Sequence, residues 1–416
     1  MPPIPSTTLP ESTLFLFLDG YEFVRKRCDR LDSDIFQTRI MLQKTICMRG
    51  KETSRLFYDQ DKFQRAGAAP LRLQKTLFGR GGVQGLDGEA HRHRKAMFMS
   101  RMSTESINRL TNLTEQEFQA ALSRWETRNR IVLFDELREI LCRSVCAWAG
   151  VPLDESEVEM RTRDFGAMID DSGAVGPRHW RGRQARERTE RWIGSIIEAV
   201  RENRFSPSEE CALHTVSFHS DLQGQYLPTR VAAVELINFL RPTIAVARFM
   251  TFAALALHDH REWQARTANN TSDLEMFVQE VRRYYPFFPF VAARVRSTFE
   301  WKGYTFPKGV RVLLDLWGTD HDPRIWETPA SFNPERFRTW KDDPYAFIPQ
   351  GGGDHFSNHR CAGEWITIEL LKTAVRFLTT SMDYAVPKQD LRISLSRLPA
   401  LPKSGFVITT VRRNTS

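Results

Sequence analysis

Residues 347–382 read FIPQGGGDHFSNHRCAGEWITIELLKTAVRFLTTSM, and the fold of the whole chain turns on this stretch. Three glycines, Gly351 to Gly353, lead toward Cys361, and the residues that follow are apolar at three-to-four spacing, so a helix begins directly behind the cysteine. Backbone amides at a helix start and the adjacent Arg360 both favour a negative sulfur, while the glycines let the backbone lie close to a flat ligand. Taken alone, a cysteine ahead of a helix is more simply a buried structural thiol.

Two upstream segments change that reading. Glu280-Val-Arg-Arg283 sets an acid and a base three apart on one helix face. FNPERF at 332–337 adds Arg336, which can complete a buried Glu280/Arg283/Arg336 network. An E-x-x-R helix, a P-E-R-F segment and a cysteine loop, in that order within the last third of the chain, resemble the cytochrome P-450 superfamily. The resemblance implies a mainly α fold with a small β-sheet. It also implies haem b (iron protoporphyrin IX) with Cys361 as the axial iron ligand, whose electron density assists O–O cleavage.

Patterning elsewhere is mostly helical: 102–125, 133–151 and 186–203 each repeat apolar residues at helical spacing opposite charged faces. The segment 228–260, PTRVAAVELINFLRPTIAVARFMTFAALALHDH, is apolar nearly all round and reads as a helix through the core. Strand signals are few and lie toward the C-terminal half, at 291–318 and 393–413.

Two features depart from the usual superfamily pattern. The loop from Phe347 to Cys361 is long, with its arginine, Arg360, immediately before the cysteine. The oxygen-activating helix ordinarily carries an acid followed by Thr as a proton relay; here it carries Leu240-Arg241-Pro242-Thr243. An arginine inside an apolar helix is expensive without a counter-anion, and proline there removes a backbone hydrogen bond. An internal ion pair with a packing kink would explain both. A planar guanidinium also suits gripping a carboxylate through two parallel hydrogen bonds.

The Arg-Pro pair and the long loop resemble the bacterial fatty-acid peroxygenases of that superfamily. The likeness runs along the chain through QKTLFG (74–79), DGEAHRHRK (87–95), ILCRSVCAWAGVP (140–152), GAVGPRHW (173–180), FVQEVRRYYPF (277–287), GTDHDPR (318–324) and SLSRLPALPKSGF (394–406). It implies peroxide-dependent hydroxylation of long-chain fatty acids at the alpha or beta carbon, with no obligatory redox partner. Arg241 would hold the substrate carboxylate, which acts as general acid-base, and Pro242 would replace the relay residue. Gln84 stands where branch members carry Gln or His, and Gln points to hydroxylation rather than decarboxylation to terminal alkenes. Leu77, Phe78 and Phe288 fall where the family packs the alkyl chain, although simple core packing explains them equally. Arg65, His91, Lys95 and Arg360 are the candidates to meet the haem propionates, Arg360 and Arg65 first. A reductase-dependent monooxygenase and a non-catalytic haem or fatty-acid carrier are the competing readings.

Composition sets the frame. With 41% hydrophobic and 26% charged residues the chain buries a sizeable core, and no linker divides its 416 residues, so 1–416 is expected to be one haem-thiolate domain. The net charge of +8 is dispersed, and its densest cluster, 178–192, is interrupted by acids and reads as a solvated helix face rather than a nucleic-acid site. Six cysteines without framework spacing point to reduced thiols and the cytoplasm, with Cys142 and Cys146 in the core. The apolar stretch Leu14–Leu18 is too short for a signal core, and no membrane span or zinc site is expected.

Overall fold

The computed structural model describes residues 3–7 and 11–414. The expected helices form: Thr104–Trp125, capped by Ser103 on the Ser106 amide, then Leu133–Ala149 and Pro177–Arg201. The long apolar segment becomes two helices end to end, Thr229–Ala245 and Ala247–Asp259, separated only at Val246. The break lies four residues beyond Pro242, whose ring excludes one backbone hydrogen bond. This is the single stretch among the described residues long and apolar enough to span a membrane, and its most apolar window is 94% buried, as a core helix is. It packs against Val158–Asp170, Leu133–Ala149 and Pro177–Arg201.

A five-stranded sheet sits beside the helices, in the order Ile35–Ile40, Gln43–Met48, Arg311–Asp315, Phe290–Val295, Phe63–Gln64. Gln43–Met48 runs parallel to Arg311–Asp315, with Ile46 opposite Val312; the other pairs are antiparallel. The N-terminal hairpin was not expected. Its turn residues are Met41 and Leu42, at φ +52° and +61°, where sequence reading looks for Asn or Gly. Of the 393–413 segment, Val407–Arg413 forms a strand, and Ile393 and Pro402 form an isolated antiparallel bridge.

The brace anticipated around the cysteine loop forms. Arg283 meets Glu280 through Nε and Nη2 at 2.7 and 2.8 Å, and Arg336 Nε lies 3.2 Å from the same carboxylate. The Asn333 amide donates to it as well, at 2.8 Å, which ties 332–337 to helix Thr271–Tyr284. The basic cluster at 178–192 is an exposed helix face, as read, with Arg186 its buried exception. Arg178 and Arg181 both pair with Asp171, Arg188 with Asp164, and Arg186 is buried on Glu190 at 2.7 Å.

Asp315 ends a central strand and caps the short helix Leu316–Asp320, its Oδ1 accepting from the Gly318 amide at 2.8 Å while buried Oδ2 has no partner. Burial pushes this carboxyl up to about 7. The folded state therefore holds a proton that the unfolded chain releases near pH 4. Stability falls as pH rises from about 4 to about 7, by roughly 2–4 kcal/mol. Asp315→Asn keeps an acceptor for the cap without the charge. Its thermal midpoint is expected to match the parent at pH 4 and exceed it at pH 8; equal midpoints at pH 8 would refute this.

Candidate active site

The glycine-rich loop is built as its composition requires. Gly351 and Gly353 sit at φ +90° and +81°, and a Cβ on Gly352 would stand 2.5 Å from the Pro344 carbonyl oxygen. The loop folds back so that the Cys361 amide donates to the Gln350 carbonyl at 3.1 Å, with Gln350 Nε2 3.8 Å from the sulfur. The helix begins at Glu364, three residues past the cysteine, and the Gly363 amide faces the sulfur. Burial pushes the thiol up while the Lys95 charge and that amide pull it back, so a metal cation is what would hold it as thiolate.

Arg360 is held inside the loop. Its guanidinium is committed to Glu364, at 2.6 Å through Nε, and to the Gly353 carbonyl at 3.3 Å. Glu364 is buried and gathers Arg282 and His355 besides, because a carboxylate out of water needs such partners. Arg360 thus ties the loop to the helix start.

Arg65, His91 and Lys95 do come together, joined by His359, which the sequence reading passed over. The His91 and His359 rings stack at 3.7 Å, and buried His91 Nδ1 has no partner. Burial, then Lys95 and Arg65, hold His91 down to about 4. Lys95 Nζ donates to the Arg360 carbonyl, and burial brings the amine down to about 8. Arg65 Nη1 donates to the Ala292 carbonyl at 2.6 Å. Asp87, the nearby acid, spends its oxygens on the amides of Arg65 and Ala66. The cluster is basic and lies within electrostatic reach of the Cys361 thiol.

Within electrostatic reach of that thiol lies Arg241, whose buried Nε has no partner and whose Nη2 reaches Asn238 Oδ1 only at 3.4 Å. Buried Arg186, Arg248, Arg282 and Arg283 each meet a carboxylate; Arg241 meets none among the described residues. Burial, then the Arg186 charge, brings its guanidinium down to about 9, while the Cys361 sulfur acts the other way. Leu77, Phe78 and Phe288 share a small apolar cluster with Ile169, Ala245 and Phe287. Ala245 follows Arg241 by four residues on one helix face, a signal available in the sequence; Ile169 had none. Gln84 Oε1 accepts from Asn238 Nδ2 at 3.2 Å, one residue removed from Arg241.

Residues 254–380 match the family described as Cytochrome P450. The chain is 44% identical to cytochrome P450EX alpha (CYP152N1), solved with myristic acid, over all of both chains at a TM-score of 0.97. This chain belongs to the cytochrome P450 family. Cytochrome P450SP alpha (CYP152B1), in complex with (R)-ibuprophen, is 47% identical with 97% of this chain and 99% of that one covered, at a TM-score of 0.95. Ligand-free cytochrome P450 OleT is 34% identical with 99% and 100% covered, at 0.97. Cytochrome P450 76A2 of Solanum melongena aligns over 158 residues at 28% identity, 36% of this chain and 30% of that relative's length.

As a P450 the protein is an oxidoreductase and its cofactor is haem b. The residues fit that group: a thiol beside the glycine loop for iron, and for two propionates a basic cluster with an unpartnered His91 nitrogen. No group of three His, Cys, Asp or Glu placed to hold a metal by itself occurs among the described residues.

Proposed function

We propose that this P450 hydroxylates long-chain fatty acids at the alpha or beta carbon with hydrogen peroxide, without a redox partner. One observation carries the reading: Arg241 is a buried cation with no carboxylate of its own, one helical turn from an apolar cluster. Cys361 is the residue to ligate iron, with Arg65, His91 and Lys95 around the propionates. Haem, when bound, supplies the iron at which the peroxide O–O bond is broken.

The chain's own part is binding, placement and proton handling. Arg241 takes the fatty-acid carboxylate through two N–H groups, which offsets the desolvation its burial imposes. Leu77, Phe78 and Phe288 receive the alkyl chain and keep water away. With no acid in the Arg-Pro helix to serve as relay, the held carboxylate itself removes a proton from one peroxide oxygen and returns it to the other. Because the head is fixed at Arg241, only the first carbons reach the oxidising centre, which limits attack to alpha or beta. Pro242 stands where the relay residue would be, and Gln84 acts on Arg241 through Asn238. We also read 1–416 as one haem-thiolate domain and its compartment as the cytoplasm, on six free thiols.

Purified protein, hydrogen peroxide and a long-chain fatty acid, with no reductase, are expected to yield 2- or 3-hydroxy acids by mass spectrometry. Terminal alkenes would reassign the reaction to decarboxylation. Turnover only with ferredoxin and NADPH would make the protein a monooxygenase, and no product under either condition would leave a carrier.

A further inference from the structure

Although Arg241 lacks a carboxylate, one lies close by on its own helix. Glu235, fully buried, Asn238 and Arg241 follow one another at i, i+3 and i+6, and Asn238 bonds to both of the others. A glutamate able to reach a buried arginine would neutralise it and compete with any incoming acid. Glu235 is instead turned elsewhere: Oε1 accepts from Arg94 Nη1 at 2.7 Å, and Oε2 from Asn238 Nδ2 at 3.0 Å.

The Asn238 amide is fixed by the same contacts. Its NH₂ group lies between two acceptors, Glu235 Oε2 and Gln84 Oε1, so its carbonyl oxygen is the end that faces Arg241 Nη2. Arg94 reaches in from helix Gly88–Met99, and its side chain is 9% exposed. Without it, Glu235 would be a buried anion whose remaining cationic surroundings are Arg186, already held by Glu190, and Arg241, reached through Asn238.

We propose that Arg94 is a positioning residue that holds Glu235 away from Arg241, and that Asn238 aims the guanidinium, so that the carboxylate at this site comes from the substrate. The inference rests on the reading of Arg241 as the carboxylate holder. It assigns the Arg94–Glu235 pair a specificity role: the pair prevents self-neutralisation of the binding cation.

The test compares Arg94→Gln, Glu235→Gln, the double variant and Asn238→Ala, with Arg241→Leu as reference. KM and kcat for a long-chain fatty acid with peroxide are measured, together with haem content and the haem spectral shift on titrating the fatty acid. Arg94→Gln is expected to raise KM and weaken the titration roughly tenfold or more, about the worth of one charge-assisted hydrogen bond, with a smaller change in kcat. Glu235→Gln is expected to keep fatty-acid affinity, and the double variant to recover most of what Arg94→Gln lost. Equal affinity losses in the two single variants, or none in Arg94→Gln, would overturn the proposal. Should Arg94→Gln fail to take up haem, Asn238→Ala decides: a several-fold rise in KM supports aiming, and an unchanged KM refutes it. Full affinity in Arg241→Leu would instead overturn the underlying reading, whatever the Arg94 variants do.

Discussion

Arg241→Ala is expected to take up haem as the parent does and to lose ~10²–10⁴-fold in kcat/KM for long-chain fatty acids with peroxide, since both the carboxylate grip and its acid-base service go with the guanidinium. The same variant is expected to be more stable. A buried arginine whose Nε is unpartnered and whose single hydrogen bond is 3.4 Å long destabilises the fold until an anion arrives. Its removal should stabilise the fatty-acid-free protein by about 1–3 kcal/mol, seen as a higher thermal midpoint and offset in part by the space the side chain leaves. The opposed movement separates function from folding: a merely structural arginine, lost, would lower both. A short carboxylic acid added to the parent is expected to restore oxidation of small non-acid molecules by supplying the missing carboxylate. In Arg241→Ala that rescue should fail. Full fatty-acid turnover in the variant would refute substrate-assisted catalysis.

How far the sequence foretold this site depends on whether a residue's role is local. Cys361, the glycine loop and the Glu280/Arg283/Arg336 brace were legible because each rests on short spacing or on segments read in order. Arg241 was legible because burial and charge conflict within one apolar helix, and the structure leaves that conflict unresolved by any internal acid. Contacts decided by burial or by a distant segment left no mark in the sequence. That Glu364, only four residues on, pairs with Arg360 follows from the burial of its carboxylate, which spacing alone does not reveal. Asn238 carried no signal until Gln84, 154 positions earlier, was seen to share it with Glu235. The hairpin Ile35–Met48 escaped because its strands are not cleanly alternating and its turn lacks glycine or asparagine.

The brace yields the largest expected loss of stability. Glu280 and Arg283 are both wholly buried, and the carboxylate accepts from Arg283, Arg336 and the Asn333 amide together. Glu280→Ala leaves two guanidinium groups facing a site with no anion, a change worth about 3–5 kcal/mol, a large part of the net stability of a folded protein. Glu280→Gln is expected to fare little better, because its amide keeps one acceptor while turning an N–H group toward a cation. The loss should be local first: 320–338, held to helix Thr271–Tyr284 by this cluster, is expected to be cut by protease in the variant before the rest of the chain. Haem retention should fall with it, since Asp320, whose backbone carbonyl accepts from Arg283 at 2.9 Å, also accepts through its side chain from the Ile348 amide at the start of the cysteine loop. Replacing Glu280, Arg283 and Arg336 together by apolar residues of similar volume is expected to recover midpoint but not haem affinity. The network's worth would then lie in fixing the approach of one segment rather than in net stability. Full recovery of both would show instead that the charges are dispensable once none of them is left alone.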